Sequence, residues 1–156
     1  MGKAVTPPTE VRGCYRVGVD PTPVANAFAE IPGFELTPRV LAAMAKDGIS
    51  VPTEAQRAAI APILEGRHVV IESGTGTGKT LAYLLPLLQR LQRQPEARAA
   101  IFTPATELAI QTLRVAERYK EPDLKSVALV ASGNQRQQAT RLEKSTRLIV
   151  GTVGRL

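Results

Sequence analysis

The sequence predicts an α/β fold, a mostly parallel sheet with helices on both faces. Two observations carry this reading. Short apolar runs alternate with stretches of helical periodicity along most of the chain. One of those runs, "HVVIE" at 68–72, leads directly into the glycine-rich "SGTGTGKT" at 73–80 and then into a helical pattern. That strand, loop and helix order is what a phosphate-cradling loop requires. Parallel strands joined through helices imply right-handed crossovers.

Residues 1–33 carry Pro7, Pro8, Pro21, Pro23 and Pro32 with little periodicity. They read as a Pro-rich N-terminal arm with one short strand at 15–19. The compact domain is expected over 34–156. "TPRVLAAMAKDG" predicts a helix capped by Thr37, with Pro38 in its first turn and Gly48 at its end. "TEAQRAAIAPILEG" predicts a second helix, capped by Thr53 and closed near Gly66. After the 68–72 strand, "LAYLLPLLQRLQRQ" reads as a helix bent at Pro86. "RAAIFT" is the next strand and "TELAIQTLRVAERYK" the next helix. "SVALVAS" is a third strand, "NQRQQATRLEKS" a polar helix and "RLIVGT" a fourth strand.

Composition narrows the function. An apolar share of 44% over 156 residues suits one domain with a real core and argues against disorder. The formal net charge of +6 raises the prior for a polyanionic partner. Cys14 is the single cysteine, which excludes an internal disulfide and a multi-cysteine zinc site and fits a reducing compartment. No apolar run reaches membrane-spanning length and no signal peptide begins at Met1, so a cytoplasmic location without a membrane partner is expected.

The 73–80 stretch is the richest in chemistry. Gly74, Gly76 and Gly78 free the backbone to curl, so that their amides and those of Thr75 and Thr77 can turn toward phosphate oxygens. Lys79 can reach the outer phosphates, and Thr80 can place its hydroxyl on magnesium. Ser73 stands where the strict pattern asks for glycine. A dinucleotide fingerprint is excluded, because it needs an acid about 20 positions on, after the next strand, where "IFTPAT" stands.

At this point the chain resembles the DEAD-box ATP-dependent RNA helicases, from Phe34 to Leu156. "ESGTGTGKT" looks like that family's nucleotide loop, in which Ala often takes the position of Ser73. "GISVPTEAQ" at 48–56 is similar to its glutamine motif, and Phe34 fits the aromatic that the family places upstream. The resemblance implies a RecA-like P-loop NTPase domain that takes ATP and Mg2+. Gln56 would recognise adenine, Phe34 would stack on it, and Thr53 would hold this segment against the loop. Taken alone, Gln56 reads as a solvated helix residue and Phe34 as core. A glutamine amide does offer the donor and acceptor that an adenine edge needs.

Three further stretches resemble RNA-facing motifs. "PATELA" at 104–109 is similar to Pro-Thr-Arg-Glu-Leu-Ala, with Ala105 and Thr106 replacing Thr and Arg. "SGNQRQQ" is similar to the paired-glycine motif, with Ser132 replacing the first glycine and Gly133 kept. "TVGRL" at 152–156 is similar to Thr-Pro-Gly-Arg-Leu, with Val153 replacing Pro. By resemblance Pro104, Gly133, Thr152, Gly154 and Arg155 would face RNA, as a single strand or short duplex. Arg136, Arg141, Lys144, Arg147 and Arg155 against Glu143 make the end of the chain basic, which suits a phosphate backbone and reads no bases.

The Asp-Glu-Ala-Asp motif does not occur in the 156 residues. The resemblance implies a domain incomplete at its C-terminal end, cut from a longer helicase that supplies the acids and a second domain. Lys79 and Thr80 are then the catalytic-site residues present, and nucleotide binding without turnover is expected of this chain. The 68–72 strand is expected to have an open edge, which invites self-association. A non-catalytic RNA-binding or regulatory module and a different P-loop phosphotransferase are the alternatives.

Overall fold

The computed structural model describes residues 9–11, 14–18, 28–131, 135–142 and 145–155. The chain forms two compact units, Met1–Gln89 and Arg90–Leu156.

The first unit begins with strands β1 (Thr9–Val11) and β2 (Cys14–Gly18) and a 3-10 turn at Phe28–Glu30. Helix α1 (Pro38–Lys46) starts where predicted, because Thr37 accepts a bond from the Val40 amide and Pro38 needs no partner for its missing N–H. Helix α2 (Glu54–Leu64) has a capping box. The Thr53 hydroxyl takes the Gln56 amide, and the Gln56 side chain takes the Thr53 amide. Strand β3 (His68–Glu72) follows, and then α3 (Lys79–Arg93), which continues through the buried Pro86.

One expectation for this unit changes: the arm strand lies at Cys14–Gly18, one residue earlier than predicted. It pairs with one edge of β3 in parallel register from Cys14↔His68 to Gly18↔Glu72, and β1 adds antiparallel to β2. Among the described residues, no strand pairs with the other edge of β3. The core also reaches back to Phe28 and Ile31, both buried with Phe34. Buried Gln89 of α3 pins this region. Its Oε1 accepts from the Glu35 amide at 2.9 Å and its Nε2 donates to the Gly33 carbonyl at 2.8 Å.

The second unit contains β4 (Ala99–Thr103), α4 (Thr106–Tyr119), β5 (Lys125–Leu129), α5 (Gln135–Arg141) and β6 (Thr146–Thr152). Its sheet runs β4-β6-β5 with both pairings parallel. Helix α4 packs on all three strands through Ala109, Thr112, Ala116 and Tyr119, a stripe at helical spacing. Central β6 accordingly buries Leu148 and Val150 completely. On β4 the alternate residues Ala100 and Phe102 are exposed, Phe102 at 60%. The described strands form two sheets, one per unit, because none of them pairs with both β3 and β4. No helix among the described residues is long and apolar enough to cross a membrane.

Candidate functional site

The loop between β3 and α3 has its carbonyls tied and its amides left over. Lys79 Nζ donates to the Ser73 carbonyl at 2.8 Å and also to the Gly74 carbonyl. Thr53 Oγ1 donates to the Thr77 carbonyl at 2.8 Å, and Gln56 Nε2 to the Gly78 carbonyl at 3.2 Å. In a trans peptide the C=O and the following N–H point in opposite directions. Fixing these four carbonyls therefore aims the amides of Gly74, Thr75, Gly78 and Lys79 away from the protein groups that hold them. Among the described residues, nothing accepts from the amides of Gly74 to Gly78. A run of uncommitted amides beside a lysine is a fit for an anion.

Glycine is required at one point of this loop by contact as well as by conformation. Gly78 has φ +83, and a Cβ there would lie 2.4 Å from Gln56 Nε2 and 3.2 Å from Thr53 Oγ1. The Gln56 and Thr53 side chains thus approach the loop so closely that a Cβ at Gly78 would have to displace them.

The predicted base-reading residues are placed differently from the loop. Gln56 is 2% exposed, and both ends of its amide are used, by Thr53 and by Gly78. Phe34 is 4% exposed, with its ring 6.1 Å from that of Phe28 at a tilt of 50°. In this conformation both residues serve the fold: one clamps α2 to the loop and the other fills the core. Thr80 has a half-buried side chain whose hydroxyl no described residue takes.

In the second unit the predicted RNA-facing residues gather at the carboxyl ends of β4 and β6, where Thr103 and Thr152 are in register. Pro104 and Gly154 are exposed and Thr152 is half-buried. Gly133 lies outside the described residues, as do Ser132 and Lys144. Ala105 at the start of α4 offers no side-chain cap, so the first-turn amides of that helix have no side-chain acceptor there.

Two arginines of the basic end are engaged with backbone. Arg147 donates to the carbonyls of Leu91, Gln94 at 2.8 Å and Ala97 at 3.2 Å, just where the end of α3 runs out of intrahelical donors; the Gln94 carbonyl also accepts from the Ala97 amide. Arg155 reaches the Val130 and Ala131 carbonyls, each at 3.3 Å. The sequence reading missed Gln138, which is buried. Its amide takes the Val130 N–H at 3.0 Å and gives to the Val130 carbonyl at 2.8 Å. Val130 therefore ties α5 and the turn after β6 to the end of β5. A glutamine in a polar helix carries no periodic signal, so only the geometry finds it.

Known proteins resemble this chain in sequence and in fold. A probable ATP-dependent RNA helicase of Bacillus subtilis, YfmL, is 40% identical over 111 residues, which cover 70% of this chain and 30% of that protein. The ATP-dependent RNA helicase DBP10 of Candida albicans is 37% identical over 144 residues, covering 90% of this chain and 16% of that protein. The chain thus spans less than a third of the length of these curated relatives. Among solved structures, a DEAD box protein from Methanococcus jannaschii matches with a TM-score of 0.72 and 30% identity, over 83% of this chain and 35% of that one. A hypothetical ATP-dependent RNA helicase from Sulfolobus tokodaii matches with a TM-score of 0.68 and 26% identity, over 77% of this chain and 35% of that one. The fold is the RecA-like P-loop α/β fold shared with these structures. The DEAD/DEAH box helicase family matches residues 53–156, and the chain belongs to that family.

Proposed function

We propose that this chain is the ATP-binding part of an ATP-dependent RNA helicase, and that Ser73 to Thr80 hold the triphosphate. The observation that carries the proposal is the loop itself: four anchored carbonyls, uncommitted amides from Gly74 to Gly78, and a lysine that can exchange two loop carbonyls for phosphate oxygens. Thr80 is the residue that would take magnesium, which when bound neutralises phosphate charge. Reading adenine requires Gln56 to exchange the Gly78 carbonyl for the base edge, with Phe34 as the aromatic nearby in sequence. Pro104, Gly133, Thr152, Gly154 and Arg155 are the proposed RNA contacts, supported by the exposed turn after β6 and the uncapped start of α4. Titration calorimetry with magnesium-ATP tests the phosphate site. Lys79→Ala is expected to lose most of the affinity while keeping the fold, because the lysine bonds only to loop carbonyls that water can reach. Equal affinities for the two forms would sink the assignment.

A further inference from the structure

Besides Thr80, the phosphate loop contains the hydroxyls of Ser73, Thr75 and Thr77, and the geometry of Ser73 is more specific than its position in the sequence suggests. Ser73 Oγ lies 2.7 Å from Thr77 Oγ1, and Thr77 Oγ1 donates to the Gly74 carbonyl at 3.0 Å. A threonine hydroxyl has one proton. With that proton on the Gly74 carbonyl, the Ser73 hydroxyl must be the donor in the closer contact. The result is a directed relay, from the Ser73 O–H to the Thr77 oxygen and from the Thr77 O–H to the Gly74 carbonyl. It closes across the base of the loop.

The relay uses none of the groups a phosphate would use. The amides of Gly74 to Gly78, the Lys79 ammonium and the Thr80 hydroxyl all lie outside it. Lys79 is the other donor to the Gly74 carbonyl. Once Lys79 turns toward a phosphate, Thr77 is the donor that remains on that carbonyl, and the carbonyl fixes the direction of the Thr75 amide. We propose that Ser73 is a positioning residue: by holding the Thr77 hydroxyl on the Gly74 carbonyl, it keeps the Thr75 amide aimed into the phosphate cradle after Lys79 has left. This inference rests on the phosphate-site reading above. Its energetic sense is preorganisation, since the loop is already set before the anion arrives.

The test compares the chain with Ser73→Ala, Ser73→Thr, Thr77→Val and the Ser73→Ala/Thr77→Val pair. Ser73→Ala is expected to weaken magnesium-ATP binding about 3- to 10-fold, the size of one hydrogen bond. Magnesium-GTP should weaken by the same factor, because the relay touches no base. Ser73→Thr keeps a hydroxyl and should recover the affinity. The double variant should bind no worse than the weaker single one, because either change breaks the same relay. Nitrogen-15 order parameters for Gly74 to Gly78, measured without nucleotide, should fall in Ser73→Ala. Wild-type affinity in Ser73→Ala, or losses that add in the double variant, would overturn the proposal. If the unaltered chain binds no triphosphate, the phosphate-site reading fails, and the order parameters then decide the relay: unchanged values in Ser73→Ala overturn it.

Discussion

Gln56 Nε2 donates to the Gly78 carbonyl at 3.2 Å, and a Cβ built on Gly78 would sit 2.4 Å from that same nitrogen. The clamp between α2 and the phosphate loop is therefore also what forbids a side chain at Gly78. Gly78→Ala meets two penalties, a positive φ of 83° and the collision with Gln56. The positive φ alone costs about 1–2 kcal/mol for an L-residue. We expect Gly78→Ala to lower the thermal midpoint and to abolish triphosphate binding. Adding Gln56→Ala removes the collision but not the backbone strain, so the double variant should melt above Gly78→Ala alone. A Gly78→Ala chain that melts with the wild type would contradict the close approach described above.

The same clamp sets what Gln56→Ala does by itself. The substitution leaves the Thr53 amide without its partner and removes one of the two donors to the Gly78 carbonyl, the other being the Ala82 amide. A structural role alone would weaken ATP and GTP alike, through a looser loop. A base-reading role adds a loss specific to adenine, about 1–3 kcal/mol for a paired edge contact. Competition of ATP against GTP separates the two. An unchanged ATP preference in Gln56→Ala assigns the residue to the clamp only.

Much of this arrangement was legible in the sequence. The helix starts followed from Thr37, Pro38 and Thr53, because capping is a local interaction between near neighbours. The 73–80 loop followed from its glycines and its place between strand and helix. What the sequence did not carry was long-range pairing. Nothing in the residues 14–18 announces a strand that pairs with β3 54 positions away. Gln89 and Gln138 were equally silent, although each uses both ends of its amide on backbone in the same strand-like manner. The engagement of the basic end was silent for the same reason. Charge is visible in a sequence, but the carbonyls that Arg147 and Arg155 serve are not.

That distinction gives a third expectation. Arg147 closes the end of α3 with three acceptors, whereas Arg136 on α5 is exposed. Arg147→Ala should destabilise the fold by about 1–3 kcal/mol, since carbonyls at the end of α3, part-buried at Leu91 and Ala97, lose a charged donor. Arg136→Ala should leave the melting temperature within about a degree and instead lower affinity for single-stranded RNA. Its loss should reduce the salt dependence by about 0.7 in the logarithmic slope, the value for one phosphate contact on a single strand. Fluorescence anisotropy over a salt series and thermal melts of both variants check this. An RNA effect confined to Arg147→Ala would reverse the assignment.

The last expectation concerns turnover. These 156 residues place a lysine, a threonine hydroxyl and a run of amides around one loop. Such groups hold a triphosphate and spread its charge, but hydrolysis also needs a group that orients the attacking water. The sequence contains no Asp-Glu-Ala-Asp stretch to supply it. Glu72, at the end of β3, is the acid adjoining the loop in sequence, and it is exposed. We therefore expect the chain to bind magnesium-ATP and to release no phosphate over multiple turnovers, with or without single-stranded RNA. Phosphate release from purified chain, run beside Lys79→Ala, measures this. Turnover that persists in Lys79→Ala would mark a contaminating activity. Turnover that Lys79→Ala abolishes would show that a water-positioning group lies among these residues, and Glu72→Gln would be the first substitution to examine for it.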